Sequence, residues 1–238
     1  MKELLKIISE RRSSRMPFDM GKEVPEKDLL QVLEAARWTP TAHNMQNFEI
    51  IVVNNKKQLE AIAGIKRGIS EVFVRENYNY LSFSEEELNK KKIGIMGTMF
   101  PKSWYNPNFK LSDLGKEPDL AQRPVPSAPV LMFVIYDSGK RAPASEGDFL
   151  GIMSLGCAMQ NMWLMAHSLG LGVQIVSSLA SEESVKELRK ILEFKLPWKI
   201  GFVVRLGYPS AKQQPYLRVR RNIKDFVHYN SFEIRSNN

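Results

Sequence analysis

Three arginines lie within five consecutive residues near the start of this chain, in the stretch RRSSR from Arg11 to Arg15. Guanidinium groups this close repel one another and remain ionised, so each needs water or an anion beside it. Their planar forks bind phosphate and carboxylate oxygens in bidentate pairs, which are stronger than neutral hydrogen bonds. The stretch therefore indicates either a solvated basic surface or a binding site for an anion.

A second basic cluster, Arg218, Arg220 and Arg221, lies near the other end of the chain. The formal charge of +8 also favours an anionic partner. However, basic and acidic residues are mixed along the sequence without a polybasic run, which disfavours nucleic acid as that partner. A basic nucleic-acid-binding protein is nevertheless the alternative from another functional class, and it would need a continuous basic face interleaved with exposed aromatic residues.

The loop TAHNMQN carries two amide side chains, Asn44 and Gln46, with His43 beside them. An amide both donates and accepts hydrogen bonds, so it either satisfies the backbone of a turn or binds the polar edge of a ligand. A third candidate segment, GLGVQIVSSL, begins at Gly170, which suits the left-handed position that ends a helix. Helices and strands must bring these segments together.

The spacing of apolar residues predicts alternating helices and strands. The predicted helices cover Lys2–Glu10, a segment from Pro25 that ends before Pro40, Lys57–Lys66, Asp148–Leu169 and Glu182–Leu192. The predicted strands cover Phe48–Val53, Val130–Tyr136, Val173–Val176 and a final stretch with Ile200, Phe202, Val204 and Leu206 on alternate positions of one face. With 238 residues and 43% apolar content, the pattern predicts one α+β domain.

Several classes of protein are disfavoured. The N-terminus lacks the apolar core and cleavage site of a signal peptide, and the single cysteine permits no internal disulfide, so a cytoplasmic location is expected. Polar residues interrupt the longest apolar helix, which favours a buried core helix over a membrane span; they are Ser154, Gln160, Asn161 and His167. Cys157 in that helix is expected to be an inert core residue. The histidines His43, His167 and His228 lack metal-ligand spacing, so no metal site is predicted.

Four stretches, in this order, resemble the FMN-dependent nitroreductase family: RRSSR, TPTAHNMQNFEIIVV, QNMWLMAHSLGLG, and GYP followed by VRRNIKDFVHYN. The resemblance runs from about Glu3 to Asn230 and is weakest between Tyr78 and Arg123. It implies a three-layer α-β-α sandwich with a mixed central sheet and a long central helix. It also implies a single domain over residues 1–238, with a variable substrate-covering segment at about 78–123, and a homodimer with each flavin between the two subunits.

The resemblance also implies roles for individual residues. Those matching the family's phosphate and flavin contacts are Arg11, Arg12, Ser13, Arg15, Arg218, Arg220 and Arg221; those matching its contacts to the flavin ring are Asn44, Gln46, Val176 and Ser177. Arg15 is expected near N1 and O2 of the ring. The chain departs from the family pattern where Asn47 and Phe48 replace the usual proline and tryptophan, and where Ile175 and Ser177 replace an aromatic residue and a glycine-rich turn.

The chemistry implied by the resemblance is ping-pong reduction. NADH or NADPH transfers hydride to flavin N5 and leaves, and a nitroaromatic, quinone or similar flat acceptor is then reduced in the same place. No catalytic acid, base or nucleophile is needed. The candidate substrate contacts are His43, Trp104, Tyr105 and Phe109, although the three aromatic residues alternatively pin a surface loop to the core. Specialised relatives instead fragment flavin, remove halogen from tyrosines or oxidise azolines, and these remain alternative functions.

Overall fold

The computed structural model describes residues 2–14, 17–65, 128–143, 147–210, 220 and 222–232. It divides the chain into two compact units. The first unit comprises Met1–Ile69 and Pro118–Gln213, and the second comprises Ser70–Glu117 and Gln214–Asn238. The single domain expected over residues 1–238 stays a prediction. The substrate-covering segment expected at about 78–123 lies outside the described residues.

The described part of the first unit contains alternating helices and strands. Its α-helices are α1 (Lys2–Glu10), α2 (Glu26–Arg37), α3 (Lys56–Ala63), α4 (Phe149–Ser168) and α5 (Glu182–Leu192). Its strands are β1 (Phe48–Val53), β2 (Val130–Asp137), β3 (Gly172–Ile175) and β4 (Trp198–Gly207). The helices and strands predicted from the apolar spacing are therefore confirmed, with small differences at their ends.

Local capping sets several of these boundaries. The Asn55 side chain accepts a hydrogen bond from the backbone N of Gln58 and so begins α3, one residue before the predicted start. Ser181 caps α5 in the same way by accepting from the backbone N of Ser184. After α4, Gly170 has a φ of 74°, which confirms the predicted left-handed position.

The four strands form one sheet in the order β1-β2-β4-β3, and each neighbouring pair is antiparallel. A parallel contact joins this sheet at the β3 edge, where Ser13 forms an isolated bridge with Val173. Among the described residues, the mixed character expected of the sheet therefore rests on this bridge beside β3. The bridge brings the arginine stretch to the sheet.

Helices cover both faces of the sheet, because alternate residues of a strand point to opposite sides. On β2, Leu131 and Phe133 belong to a core cluster with residues of α3 and α5. Met132 and Val134 belong to a second cluster with residues of α2 and α4. The three-layer α-β-α arrangement expected from the family resemblance is confirmed.

A bulge in β4 changes the face of one predicted core residue. The pairing of β4 with β2 skips Gly201, so the alternation along β4 restarts there. Phe202, Val204 and Leu206 face α2 and α4, whereas Ile200 packs into the cluster on the opposite face. The prediction that all four residues share one face is therefore wrong for Ile200.

The predicted central helix is confirmed as α4. Leu155, Ala158 and Met162 are buried against the sheet and α2. Among the described residues, α4 is the one helix whose length and apolar composition would allow it to cross a membrane. Core helices of soluble proteins have the same length and composition. Cys157 is exposed, so its predicted core position is wrong. Cys157 follows the buried Leu155 by two residues, which places it on nearly the opposite side of the helix from the face that packs on the sheet.

In the second unit, the structure describes Arg220 and residues 222–232. A short 3-10 helix covers Ile223–Asp225. Asn222 and Asp225 cap it reciprocally, and the backbone N of Asn222 donates to the Asp225 carboxylate at 3.0 Å. The rings of His228 and Phe232 lie 4.6 Å apart between centroids.

Candidate functional site

The N-terminal arginine segment lies beside β3. The backbone N of Arg11 donates to the Ile7 carbonyl at 3.0 Å, which continues the last turn of α1. The backbone N of Ser14 then donates to the Val173 carbonyl at 2.8 Å, next to the parallel bridge of Ser13. Two segments predicted separately from the sequence, RRSSR and GLGVQIVSSL, are therefore neighbours in the fold.

The two predicted ring contacts after β3 differ in exposure. Val176 is 4% exposed, and its backbone N already donates to the Val203 carbonyl at 2.9 Å. Ser177 is exposed and begins a 3-10 helix, Ser177–Ala180, instead of continuing the strand. From Val173, the residue paired with Ser13, to Val176 the chain advances about 10 Å. Because Val176 is buried and Ser177 is exposed, Ser177 is the more accessible of the two predicted contacts.

Trp163 of α4 contacts both arginines at the start of the segment. The guanidinium carbon of Arg11 lies 4.3 Å from the centroid of the Trp163 ring, a cation–π geometry. The indole Nε1 donates to the backbone carbonyl of Arg12 at 3.2 Å. The Arg12 partner of Trp163 is about 150 residues away in sequence, so no local pattern indicates this contact.

A buried arginine supports the same segment from β4. Arg205 is 1% exposed; its Nη2 donates to the Ser14 carbonyl at 3.0 Å, and its Nε donates to Gln174 Oε1 at 2.7 Å. Its guanidinium also lies 4.5 Å from the centroid of the Phe18 ring. Burial lowers the pKa of Arg205 from its ordinary value to about 10, which leaves it charged at neutral pH. Sequence reasoning missed this residue, although an arginine inside the apolar run FVVRLG was an available signal.

The amide loop after α2 has an uncommon backbone conformation. His43, Asn44 and Gln46 have φ values of 51°, 53° and 45°, in the left-handed region that residues other than glycine seldom adopt. All three side chains are exposed, and Gln46 Nε2 donates to Asn44 Oδ1 at 3.1 Å. Such conformations cost on the order of 1 kcal/mol each and gather at functional sites. The two predicted amides are therefore brought together and held in a strained, exposed loop.

Polar residues of α4 anchor this loop. The backbone N of Ala42 donates to Ser154 Oγ at 3.1 Å. Asn161 Nδ2 donates to Thr39 Oγ1 and to the Ala35 carbonyl, both at 3.3 Å. Two of the polar residues that interrupt the apolar sequence of α4 thus hold the end of α2 and the loop after it.

One helix therefore contacts both halves of the candidate site. Ser154 holds the amide loop and Trp163 holds the arginine segment, and the two residues are nine positions apart, about 13.5 Å along the helix axis. A ligand bound by both the arginine segment and the amide loop needs an anionic group at one end and a hydrogen-bonding edge at the other.

The structure describes only some of the remaining predicted site residues. Those outside the described residues are Arg15, Arg218, Arg221, Trp104, Tyr105 and Phe109. Arg220 is described in the second unit and is exposed there. The roles expected for these residues stay predictions. Within the described ranges, no group of three or more His, Cys, Asp or Glu residues is arranged to hold a metal ion.

A cavity of about 520 Å³ lies between α3 and α5, lined by Ala61, Gly64, Ile65, Glu183, Lys186, Glu187 and Ile191. Because α3 and α5 cover the opposite face of the sheet from α4, this cavity does not belong to the arginine and amide site.

A model of the nitroreductase family matches residues 8–208 of the chain. The chain belongs to the nitroreductase family, and the nitroreductase-like α+β fold and oxidoreductase class implied by the sequence resemblance are confirmed. A curated relative from Archaeoglobus fulgidus, named "Putative NADH dehydrogenase/NAD(P)H nitroreductase", is 25% identical over 228 residues. The alignment covers 96% of this chain and 98% of that relative.

Solved structures share the fold over nearly the whole chain. One is an FMN-dependent nitroreductase from Clostridium difficile, and another is a nitroreductase with bound FMN from Bacteroides fragilis. Each has a TM-score of 0.58 and 19% sequence identity, and each comparison covers 96% of this chain and 99% of the other.

Proposed function

We propose that this protein is an FMN-dependent NAD(P)H oxidoreductase that reduces nitroaromatic, quinone or similar flat acceptors. The observation that carries the proposal is the attachment of the arginine segment and the amide loop to one helix, α4. The nitroreductase family, the FMN bound to the Bacteroides fragilis protein and the name of the Archaeoglobus fulgidus relative support this cofactor and this electron donor.

The donor groups present fit FMN. Its phosphate carries close to two negative charges, and Arg11 and Arg12 supply charged donors beside the Ser13 hydroxyl. Because this segment follows the C-terminal end of α1, the helix dipole repels an anion there, and the side chains must provide the attraction. The pyrimidine edge of the ring has both donors and acceptors, and the amides of Asn44 and Gln46 supply both kinds of partner.

When bound, FMN would supply the redox chemistry of a ping-pong hydride transfer between NAD(P)H and the acceptor. The protein supplies binding and orientation. Arg11, Arg12 and Ser13 would hold the phosphate, and Arg15 would supply positive charge near N1 and O2. Arg218, Arg220 and Arg221 complete the phosphate site from the other end of the chain.

The ring and the acceptor have their own contacts. Asn44 and Gln46 would hold the pyrimidine edge, and Val176 and Ser177 would contact the ring. We assign acceptor contacts to the exposed His43 of the amide loop and to the aromatic segment outside the described residues, Trp104, Tyr105 and Phe109. A steady-state screen of nitroaromatic and quinone acceptors with NADH and with NADPH identifies the preferred pair, and inactivity toward all of them favours a specialised reaction of the family.

A homodimer with flavin at the subunit interface completes the proposal. Helices α1 and α4 are in contact. They expose large apolar side chains, namely Leu4, Leu5, Ile8, Phe149, Ile152 and Met153. Exposed apolar side chains on two helices that contact each other are typical of a protein interface, and a second copy of the chain is the partner that the family resemblance implies. We propose a cytoplasmic location, which is consistent with a chain whose single cysteine permits no internal disulfide.

The absorbance spectrum of the purified protein tests the cofactor. We expect the bands of oxidised flavin in stoichiometric amount, their loss on anaerobic addition of NADH or NADPH, and release of FMN on denaturation. Protein that is colourless and gains no bound flavin when FMN is added would refute the proposal.

A double variant tests the phosphate assignment. Replacing Arg11 and Arg221 together by alanine should give colourless protein, because both are assigned to the phosphate. The matched control is Arg37→Ala, since Arg37 on α2 donates to the exposed Glu34 at 2.8 Å. Stoichiometric flavin in the double variant would contradict these two assignments.

A further inference from the structure

We infer that Trp163 is a positioning residue for the cofactor phosphate, acting by orienting Arg11 and Arg12. The inference rests on the proposed FMN site and adds a residue of α4 to it. Trp163 is not required to touch the cofactor. Its two contacts, one to a side chain and one to a backbone, determine where the two arginines point.

The first contact orients the Arg11 guanidinium. Its carbon lies 4.3 Å from the centre of the Trp163 ring, so the indole face attracts the cation from one side. A guanidinium stacked on a ring keeps its N–H groups in its own plane, where they can still form a bidentate pair with phosphate. Stacking also restricts a long side chain before the ligand arrives, which lowers the entropy lost on binding.

The second contact fixes the backbone at Arg12. The indole Nε1 donates to the Arg12 carbonyl at 3.2 Å. On the next residues, Ser13 bridges to Val173 and the backbone N of Ser14 donates to the Val173 carbonyl at 2.8 Å. The segment is therefore held by α4 on one side and by β3 on the other, which leaves its side chains little freedom to move as a group.

Trp163 lies at the edge of the core and packs against the cluster between α4 and the sheet. Trp163 is only partly buried, whereas its neighbours Met162 and Ala166 are buried in the core between α4 and the sheet. Substitution at Trp163 therefore removes some packing along with the two arginine contacts, but a loss of packing does not by itself distinguish a flavin with a phosphate from one without.

Comparison of FMN with riboflavin tests the inference, because riboflavin has the same ring but no phosphate. Flavin-free full-length wild type, Trp163→Phe and Trp163→Leu are titrated with each flavin, following quenching of flavin fluorescence. Phenylalanine keeps an aromatic face but loses the N–H donor, whereas leucine loses both contacts. We expect about tenfold weaker FMN binding for Trp163→Leu, with Trp163→Phe between it and wild type. Riboflavin affinity should stay within about twofold of wild type, since the phosphate contacts alone are affected.

The matched control is Trp38→Leu, the same substitution at a tryptophan that is 72% exposed at the end of α2. It should bind both flavins as wild type does. Unchanged FMN affinity in Trp163→Leu, or equal weakening toward FMN and riboflavin, overturns the positioning role. If Trp163→Leu fails to fold by circular dichroism, Trp163→Phe decides the question by the same ratio of affinities. Failure of wild type itself to bind FMN refutes the proposed function, a result distinct from any difference between variants.

Discussion

Replacing Gly172 by alanine should displace the arginine segment from the sheet. A Cβ at Gly172 would lie 2.6 Å from Ser14 Oγ, 2.9 Å from Ser14 Cβ and 2.7 Å from Phe18 Cε1. Ordinary contacts between carbon atoms are about 3.5–4.0 Å, so Ser14 must move by about 1 Å. Ser14 is 6% and Phe18 2% exposed, so neither side chain has open space to enter.

Two effects determine how far Gly172→Ala lowers the free energy of unfolding. Overpacking a dense site costs about 1–3 kcal/mol. Loss of the hydrogen bond from the Ser14 backbone N to the Val173 carbonyl costs about 1 kcal/mol more. A fall of about 3 kcal/mol in the free energy of unfolding lowers the Tm of a chain of this size by about 6–12 °C. FMN affinity should also fall, by about tenfold, because Arg12 and Ser13 move with Ser14.

Thermal denaturation of the flavin-free protein and titration with FMN measure the two effects separately. The matched control is Gly64→Ala at the end of α3, where φ is −73° and the nearest atoms to an added Cβ lie at 3.5 Å. Its Tm and FMN affinity should stay close to those of wild type. A Gly172→Ala protein that matches Gly64→Ala in both measurements would refute the close packing of Ser14 on β3.

Three further changes test other parts of the molecule. Asn55→Ala removes the cap of α3 and should lower the free energy of unfolding by about 1 kcal/mol in urea denaturation; an unchanged midpoint argues against the cap. Ile152→Glu puts a charge on the exposed apolar face of α4 and should give monomers in analytical ultracentrifugation, whereas a persistent dimer would exclude that face as the interface. Burial lowers the pKa of Arg205 to about 10, below its value in the unfolded chain, so above about pH 10 the unfolded chain binds more protons and the folded state gains stability as pH rises. Relative to Arg205→Met, wild type should therefore become more stable above about pH 10 in urea denaturation, and a difference that does not vary with pH contradicts this linkage.

The sequence by itself determined the local elements and the chemical candidates of this protein. The bounds of β1 and α5 were predicted correctly because apolar periodicity and capping act over a few residues. The four stretches of family resemblance likewise depend only on residue order, and they identified the arginine segment and the amide loop before any contact was known.

Only the tertiary structure decided which residues support those candidates. Trp163 and Arg205 contact the arginine segment from positions about 150 and 190 residues away, and no local pattern reports such a pairing. The prediction for Cys157 was wrong because α4 carries apolar residues on all of its faces. The sequence of α4 therefore does not indicate which face packs on the sheet. The face of Ile200 depended on a bulge at Gly201, whose register is set by pairing with β2. In each case the burial and orientation of a side chain depend on a distant partner, which only the folded chain supplies.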